Sequence, residues 1–129
     1  MIYLDTSVAL AHLLGETRRP SATLWNEPLV ASRLLQYELH VRLNARGLGN
    51  SHGEDARQLI GMVALLELAP AVIERALEPF PIQRGRTLDA LHLASLVFLR
   101  SQGNAVRLAT YDDRLTAAAS ALGIPLWLD

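Results

Sequence analysis

A chain of 129 residues, half of them apolar and with a formal net charge of −1, can bury one substantial core. It is too balanced to be an acidic tail or a strongly basic nucleic-acid coat. There is no cysteine and all twelve basic residues are arginine, which excludes thiol nucleophiles, thiolate metal sites, disulfides, Schiff-base chemistry and a P-loop lysine.

The chain opens with Ile-Tyr-Leu, a short buried strand expected over residues 2–4, with no basic segment ahead of it and hence no expected secretory signal. A helix is expected over SVALAHLL, a loop over GETRRP, a short helix over SATLWNE and a second strand over LVAS at 29–32. Ser32 is placed to cap a helix over RLLQYELHVRLNAR that stops at Gly47. GLGNSHG reads as an exposed connector, followed by a helix over EDARQLIGMVALL and a brief strand near LELA. Pro70 opens the helix AVIERAL, and EPFPIQRGR is a loop. Thr87 is placed to cap LDALHLASLVFLRS; VRLAT at 106–110 is a strand, DDRLTAAASAL a helix ended by Gly123, and IPLWL a final strand. Strands alternating with helices imply an α/β fold, a mostly parallel sheet covered on both faces, in a single domain over residues 1–129. The apolar runs are too short to span a bilayer, so no membrane partner is expected.

Four acids occupy unusual places. Asp5 ends the first strand, at the edge where open parallel sheets bind ligands, although it also suits a helix N-cap. Glu38 lies on one helical stripe with Leu34, Val41 and Ala45, flanked by Leu35 and Tyr37, at about 100° per residue. An isolated carboxylate there would be expelled or neutralised, so Glu38 serves a site or pairs with a buried arginine. Asp89 heads an almost wholly apolar helix, as a site acid or a helix-dipole acid. One turn on, His92 is a ligand or an imidazole packed behind one. Asp112 and Asp113 follow the strand VRLAT; Asp112 is assigned to the site and Asp113 to the cap or solvent. Converging carboxylates repel unless compensated, and in a chain without lysine or cysteine that calls for a hard divalent cation, Mg²⁺ or Mn²⁺. Arg84 and Arg86, just ahead of Asp89, offer guanidinium forks that suit phosphate oxygens or belong to a solvated loop.

The order Asp5 in YLDTS, Glu38 in QYELHVRL, Asp89 in RTLDALHLA and Asp112 in ATYDDRL resembles the PIN-domain ribonucleases, specifically the VapC toxins of toxin–antitoxin pairs. The resemblance implies a three-layer α/β/α sandwich, a metal-dependent endoribonuclease and a prokaryotic, cytoplasmic setting. It makes Asp5 and Asp89 the principal metal ligands, with Glu38 and Asp112 binding directly or through water and Thr6, Ser7 and Thr110 supporting them. It also implies an RNA substrate, homodimerisation and a VapB-type antitoxin. A receiver-like or phosphatase-like domain is disfavoured by the missing lysine. The remaining alternative is a catalytically inactive PIN-like module that acts through protein or RNA binding.

Overall fold

The sheet order determines where a site can form. The computed structural model describes residues 1–81 and 87–128. Strands β1 (Ile2–Leu4), β2 (Leu29–Ser32), β3 (Val63–Leu66) and β4 (Arg107–Ala109) lie in the order β3-β2-β1-β4, with every pairing parallel. The chain steps outward from β1 to β2 and β3, then returns to the opposite side of β1. This reversal lies between β1 and β4, and in open parallel sheets ligands bind beyond the strand ends at such a point.

Helices α1 (Thr6–Leu13), α2 (Leu34–Ala45), α3 (Gly49–Gly61), α4 (Pro70–Ala76), α5 (Thr87–Ser101) and α6 (Asp113–Ala121) follow the strands, with a 3-10 turn at Ala22–Asn26. Strand side chains alternate between faces. Ile2, Leu4, Leu29 and Ala31 pack against Val8, Leu35, Leu39 and Leu59 on one side. Tyr3, Val30 and Leu108 pack against Leu93, Leu96 and Leu115 on the other. The three-layer α/β/α sandwich expected from the sequence is therefore present. None of the described helices is long and apolar enough to cross a membrane.

Local chemistry sets several boundaries. Ser32 Oγ accepts from Leu34 N (3.1 Å), satisfying an amide at the start of α2, and Gly47 leaves that helix with φ of 71°. Four expectations need correction. GLGNSHG is not a connector throughout, since α3 already begins at Gly49. Its buried residues Gly53, Ala56 and Leu59 form one face with two small residues, so packing offsets the helix cost of glycine, about 1 kcal/mol. Val-Ala-Leu-Leu at 63–66 is strand β3, not the end of a helix. Periodicity cannot classify so short an apolar run, and pairing with β2 from Leu29–Val63 to Ser32–Leu66 decides it. IPLWL contributes only a single parallel bridge, Leu126 with Leu108. Pro125 has no N–H to donate, so a continuous ladder cannot start there.

The fourth correction concerns α2. Its buried residues are Leu35, Glu38, Leu39 and Leu43, while Tyr37 and Val41 are 61% and 44% exposed. Apolar residues occur around most of this helix, so two stripes were compatible with the sequence. Packing against α1, α3 and the sheet selects the leucine stripe. Glu38 belongs to both stripes, so its burial survives the rotation. Leu39→Ala is expected to cost about 2–5 kcal/mol of stability, whereas Val41→Ala should stay within about 0.5 kcal/mol. Urea denaturation of the two variants checks this, and equal losses would contradict the observed face.

Candidate active site

Asp5 joins the ends of β1 and β4. Its backbone N–H donates to Ala109 O (3.0 Å), and its side chain caps α1. Oδ2 accepts from Ser7 Oγ (2.5 Å), Thr110 Oγ1 (2.8 Å) and, at a longer 3.4 Å, Ser7 N. Ser7 Oγ in turn accepts from Tyr111 N (3.0 Å), and Thr110 Oγ1 accepts from Asp112 N (3.0 Å). Two hydroxyls thus tie one carboxylate oxygen to both sides of the crevice. The cap and site readings of Asp5 are compatible, because the cap and hydroxyl contacts fall on Oδ2 alone.

Glu38 is buried at 6% exposure, yet its close partner is not an arginine. Oε1 accepts from His92 Nε2 (2.5 Å) and from Thr6 Oγ1 (3.2 Å). Arg42, half-exposed and one turn along α2, reaches Oε2 at 3.6 Å. His92 Nδ1 shares a 2.7 Å hydrogen bond with the Tyr3 hydroxyl, which also accepts from Ser32 N (3.2 Å). A continuous buried chain therefore runs Tyr3–His92–Glu38–Thr6. Sequence reasoning missed Tyr3 altogether. The available signal was a tyrosine in a fully buried strand, whose hydroxyl must find a partner.

The electrostatics explain the pairing. Burial would raise the Glu38 carboxyl, but the His92 hydrogen bond, the charges of His92 and Arg42 and the Thr6 hydroxyl together hold it below the usual range. Burial would likewise lower the His92 imidazole. The Glu38 hydrogen bond and the negative charges of Glu38, Asp5 and Asp89 outweigh it and hold His92 above its ordinary value. Burial pushes the Tyr3 phenol up. Glu38 hydrogen-bonds this imidazole directly, and the charges of Asp5 and Asp89 add to the bias toward its charged form.

Asp89 sits in the first turn of α5 on the same helix face as His92, one turn earlier, and is partly buried. Asp112 is itself the cap of α6, with Oδ1 accepting from Arg114 N (2.8 Å) and Leu115 N (3.2 Å). The cap thus falls on Asp112, while Asp113 lies exposed in the first helical turn. The reason is positional: Asp112 has the extended backbone of a cap, and Asp113 is already helical. Arg84 and Arg86 lie outside the described residues. Among the described residues, no three histidine, aspartate or glutamate side chains are grouped so that they could hold a metal ion together. The donor chemistry still fits a hard cation: the hydrogen bonds to Asp5 fall on Oδ2, and those to Glu38 fall on Oε1, while its Oε2 faces the half-exposed Arg42 at 3.6 Å. Mg²⁺ commonly binds through one or two carboxylates plus water and phosphate.

The Glu38–His92 pair has a defined pH signature. A lowered carboxyl contributes stability that is lost as pH falls through its folded value, and a raised imidazole contributes stability that is lost as pH rises through its own. In EDTA, the stability difference between wild type and Glu38→Gln should be greatest between the ordinary values of 4.5 and 6.5 and shrink on both sides. Denaturant titrations across this range test it, and a difference that grows steadily above pH 7 would contradict the pairing.

Comparison with known proteins identifies the family and the fold. A family model described as PIN domain matches residues 2–121. Ribonuclease VapC46 of Mycobacterium tuberculosis is 33% identical over 128 residues, covering 95% of this chain and 93% of that protein. Ribonuclease VapC35 of the same organism is 29% identical over 126 residues, covering 96% and 93%. The crystal structure of M. tuberculosis VapC20, described as a sarcin–ricin loop cleaving toxin, matches with a TM-score of 0.71 at 23% identity over 92% of this chain and 95% of that one. A toxin–antitoxin complex from Klebsiella pneumoniae matches with a TM-score of 0.67 at 16% identity, over 91% of each chain. These two structures show the shared fold. Family model, full-length relatives and sheet topology agree, and the chain belongs to the PIN-domain family, with the VapC-type ribonucleases as its relatives.

Proposed function

We propose that this protein is a metal-dependent endoribonuclease and the toxin of a toxin–antitoxin pair. The observation that supports the reading is that Asp5, held by Ser7 and Thr110, and Glu38, held by Thr6 and His92, lie at the carboxyl end of the strands, with Asp89 one turn before His92 on α5. The names of the sequence relatives support ribonuclease activity. The proposed ligands are Asp5 and Asp89, with Glu38 and Asp112 contacting metal directly or through water. A bound Mg²⁺ or Mn²⁺ would supply charge neutralisation at the phosphodiester and lower the pKa of an attacking water.

The chain's own residues perform the positioning. Ser7 and Thr110 hold Asp5 in one rotamer. Thr6 and His92 do the same for Glu38, and Tyr3 and Ser32 fix the imidazole from behind. Such double support holds a carboxylate within the roughly half-ångström tolerance that catalysis requires. In its charged form His92 would offset part of the repulsion among the acids. No side-chain nucleophile is needed, consistent with the absence of cysteine and lysine.

A second reading, an inactive PIN-like module, draws on the lack of a ready three-ligand cluster among the described residues. A cation held by two carboxylates, water and substrate phosphate needs no such cluster, so the enzyme reading is favoured. The proposal extends to a VapB-type antitoxin and a homodimer in the cytoplasm. The toxin–antitoxin assembly of the Klebsiella structure supports the first. A small antitoxin reading frame is expected beside this one, and its co-expression should suppress RNA cleavage, while light scattering should return twice the chain mass; failure of either removes that part.

Wild-type protein should cleave total cellular RNA with Mn²⁺ or Mg²⁺ and not in EDTA, and millimolar metal should raise its melting temperature. Asp89→Asn should abolish cleavage while changing metal-free stability little, since relief of repulsion among the acids offsets the loss of its attraction to His92. As a helix-dipole acid alone, it would cost no more than about 1 kcal/mol and leave cleavage intact. Full activity in folded Asp89→Asn protein overturns the ligand assignment.

A further inference from the structure

Beside the acids is a pocket of about 230 Å³, lined by Val8, Arg18, Thr110, Tyr111, Trp127 and Leu128. Thr110 belongs to both places, because its hydroxyl donates to Asp5. Trp127 reaches this edge because Leu126 bridges Leu108 in parallel and Trp127 N then donates to Leu108 O (2.9 Å), directing the next residues toward the carboxyl ends of the strands. Arg18, from the loop after α1, lays its guanidinium over the Tyr111 ring with Cζ 4.3 Å from the centroid. Tyr111 and Trp127 are half-buried against the core, while Arg18 is exposed.

We propose that this pocket receives one unpaired nucleobase of the RNA, next to the phosphodiester that the proposed cation would hold beside Asp5; the inference rests on the nuclease reading above. Single-stranded RNA is recognised by splaying bases onto aromatic rings and arginine planes, the surfaces gathered here. Whole drug-sized ligands occupy roughly 300–1,000 Å³, so this smaller space suits one ring system, not an entire nucleotide. Among the described residues the lining offers two aromatic rings and one guanidinium, a set that favours a base over a phosphate, which calls for several charged donors. A protein side chain could also fill an aromatic pocket. RNA is favoured because Thr110 makes the occupant contiguous with whatever is bound at Asp5. The pocket would then bias where the RNA is cut, by selecting the base that can be splayed out beside the scissile phosphate.

Tryptophan emission provides the test, because the chain holds only two tryptophans. Trp25, in the 3-10 turn, packs against His12 with the rings tilted by 51° and centroids 4.5 Å apart, and Trp25→Phe leaves Trp127 as the sole reporter. A short single-stranded RNA is added in EDTA, and again with Mg²⁺ in the Asp89→Asn background, so that it is not cut. Saturable quenching by this RNA, and much weaker quenching by an abasic backbone of equal length, is expected. In the otherwise wild-type chain, Arg18→Gln and Tyr111→Leu should each raise KM about tenfold, as loss of a stacking contact does, and should displace the cut sites mapped in total RNA. Equal quenching by the abasic strand, or unchanged emission and cut sites while wild type still cleaves, overturns the base pocket alone. Quenching by a co-purified protein partner but not by RNA assigns the pocket to a protein side chain and also overturns it. Absence of RNA cleavage by wild type with metal overturns the nuclease reading and the proposal resting on it.

Discussion

The hydrogen bond between Glu38 and His92 joins α2 to α5, helices that cover opposite faces of the sheet, over the carboxyl end of its strands. A carboxylate buried to this extent needs a partner, and a partner of opposite charge needs its own support. His92 has that support from Tyr3, whose hydroxyl is in turn anchored by the end of β2. One ion pair therefore ties the two helical layers and two strands into a single constraint.

The same pair lets the other acids approach. Asp5 and Asp89 both act on the imidazole, so each added carboxylate strengthens the charged form of His92 as it increases repulsion among the acids. This separates the compensation built into the fold from the compensation a bound cation would add. Asp5 follows a parallel logic with neutral donors: Ser7 and Thr110 restrain one oxygen without cancelling its charge. Hydroxyl support leaves the Asp5 charge intact for the proposed cation, whereas an arginine beside it would cancel that charge.

Sheet order supplies the remaining geometry. Because β4 lies next to β1, residues separated by more than a hundred positions, Ser7 and Thr110, meet at Asp5. The single terminal bridge at Leu126 brings Trp127 to the same edge, placing an aromatic pocket beside the acids. Both features depend on strand neighbours, and strand neighbours are set by how helices pack onto the sheet.

Much was legible in the sequence because it is local chemistry. Alternating strands and helices, Ser32 at the head of α2, Gly47 at its end and an acid after β1 each follow from side-chain type and short-range spacing. The burial of Glu38 was legible too, because it lies on either of the two stripes that α2 could bury. Which stripe is buried was not, since several faces of that helix are apolar and only its neighbours choose among them. Nor could periodicity assign the short run at 63–66 to a strand, or decide between Asp112 and Asp113 as the cap of α6. The identity of Glu38's partner lay furthest from the sequence: His92 is 54 positions away, and its raised imidazole exists only because the folded chain crowds carboxylates around it. Side-chain type and short-range spacing determined the elements and the acids, while tertiary packing decided which groups neutralise one another, because Coulombic and hydrogen-bond energies depend on distances that only the folded chain defines.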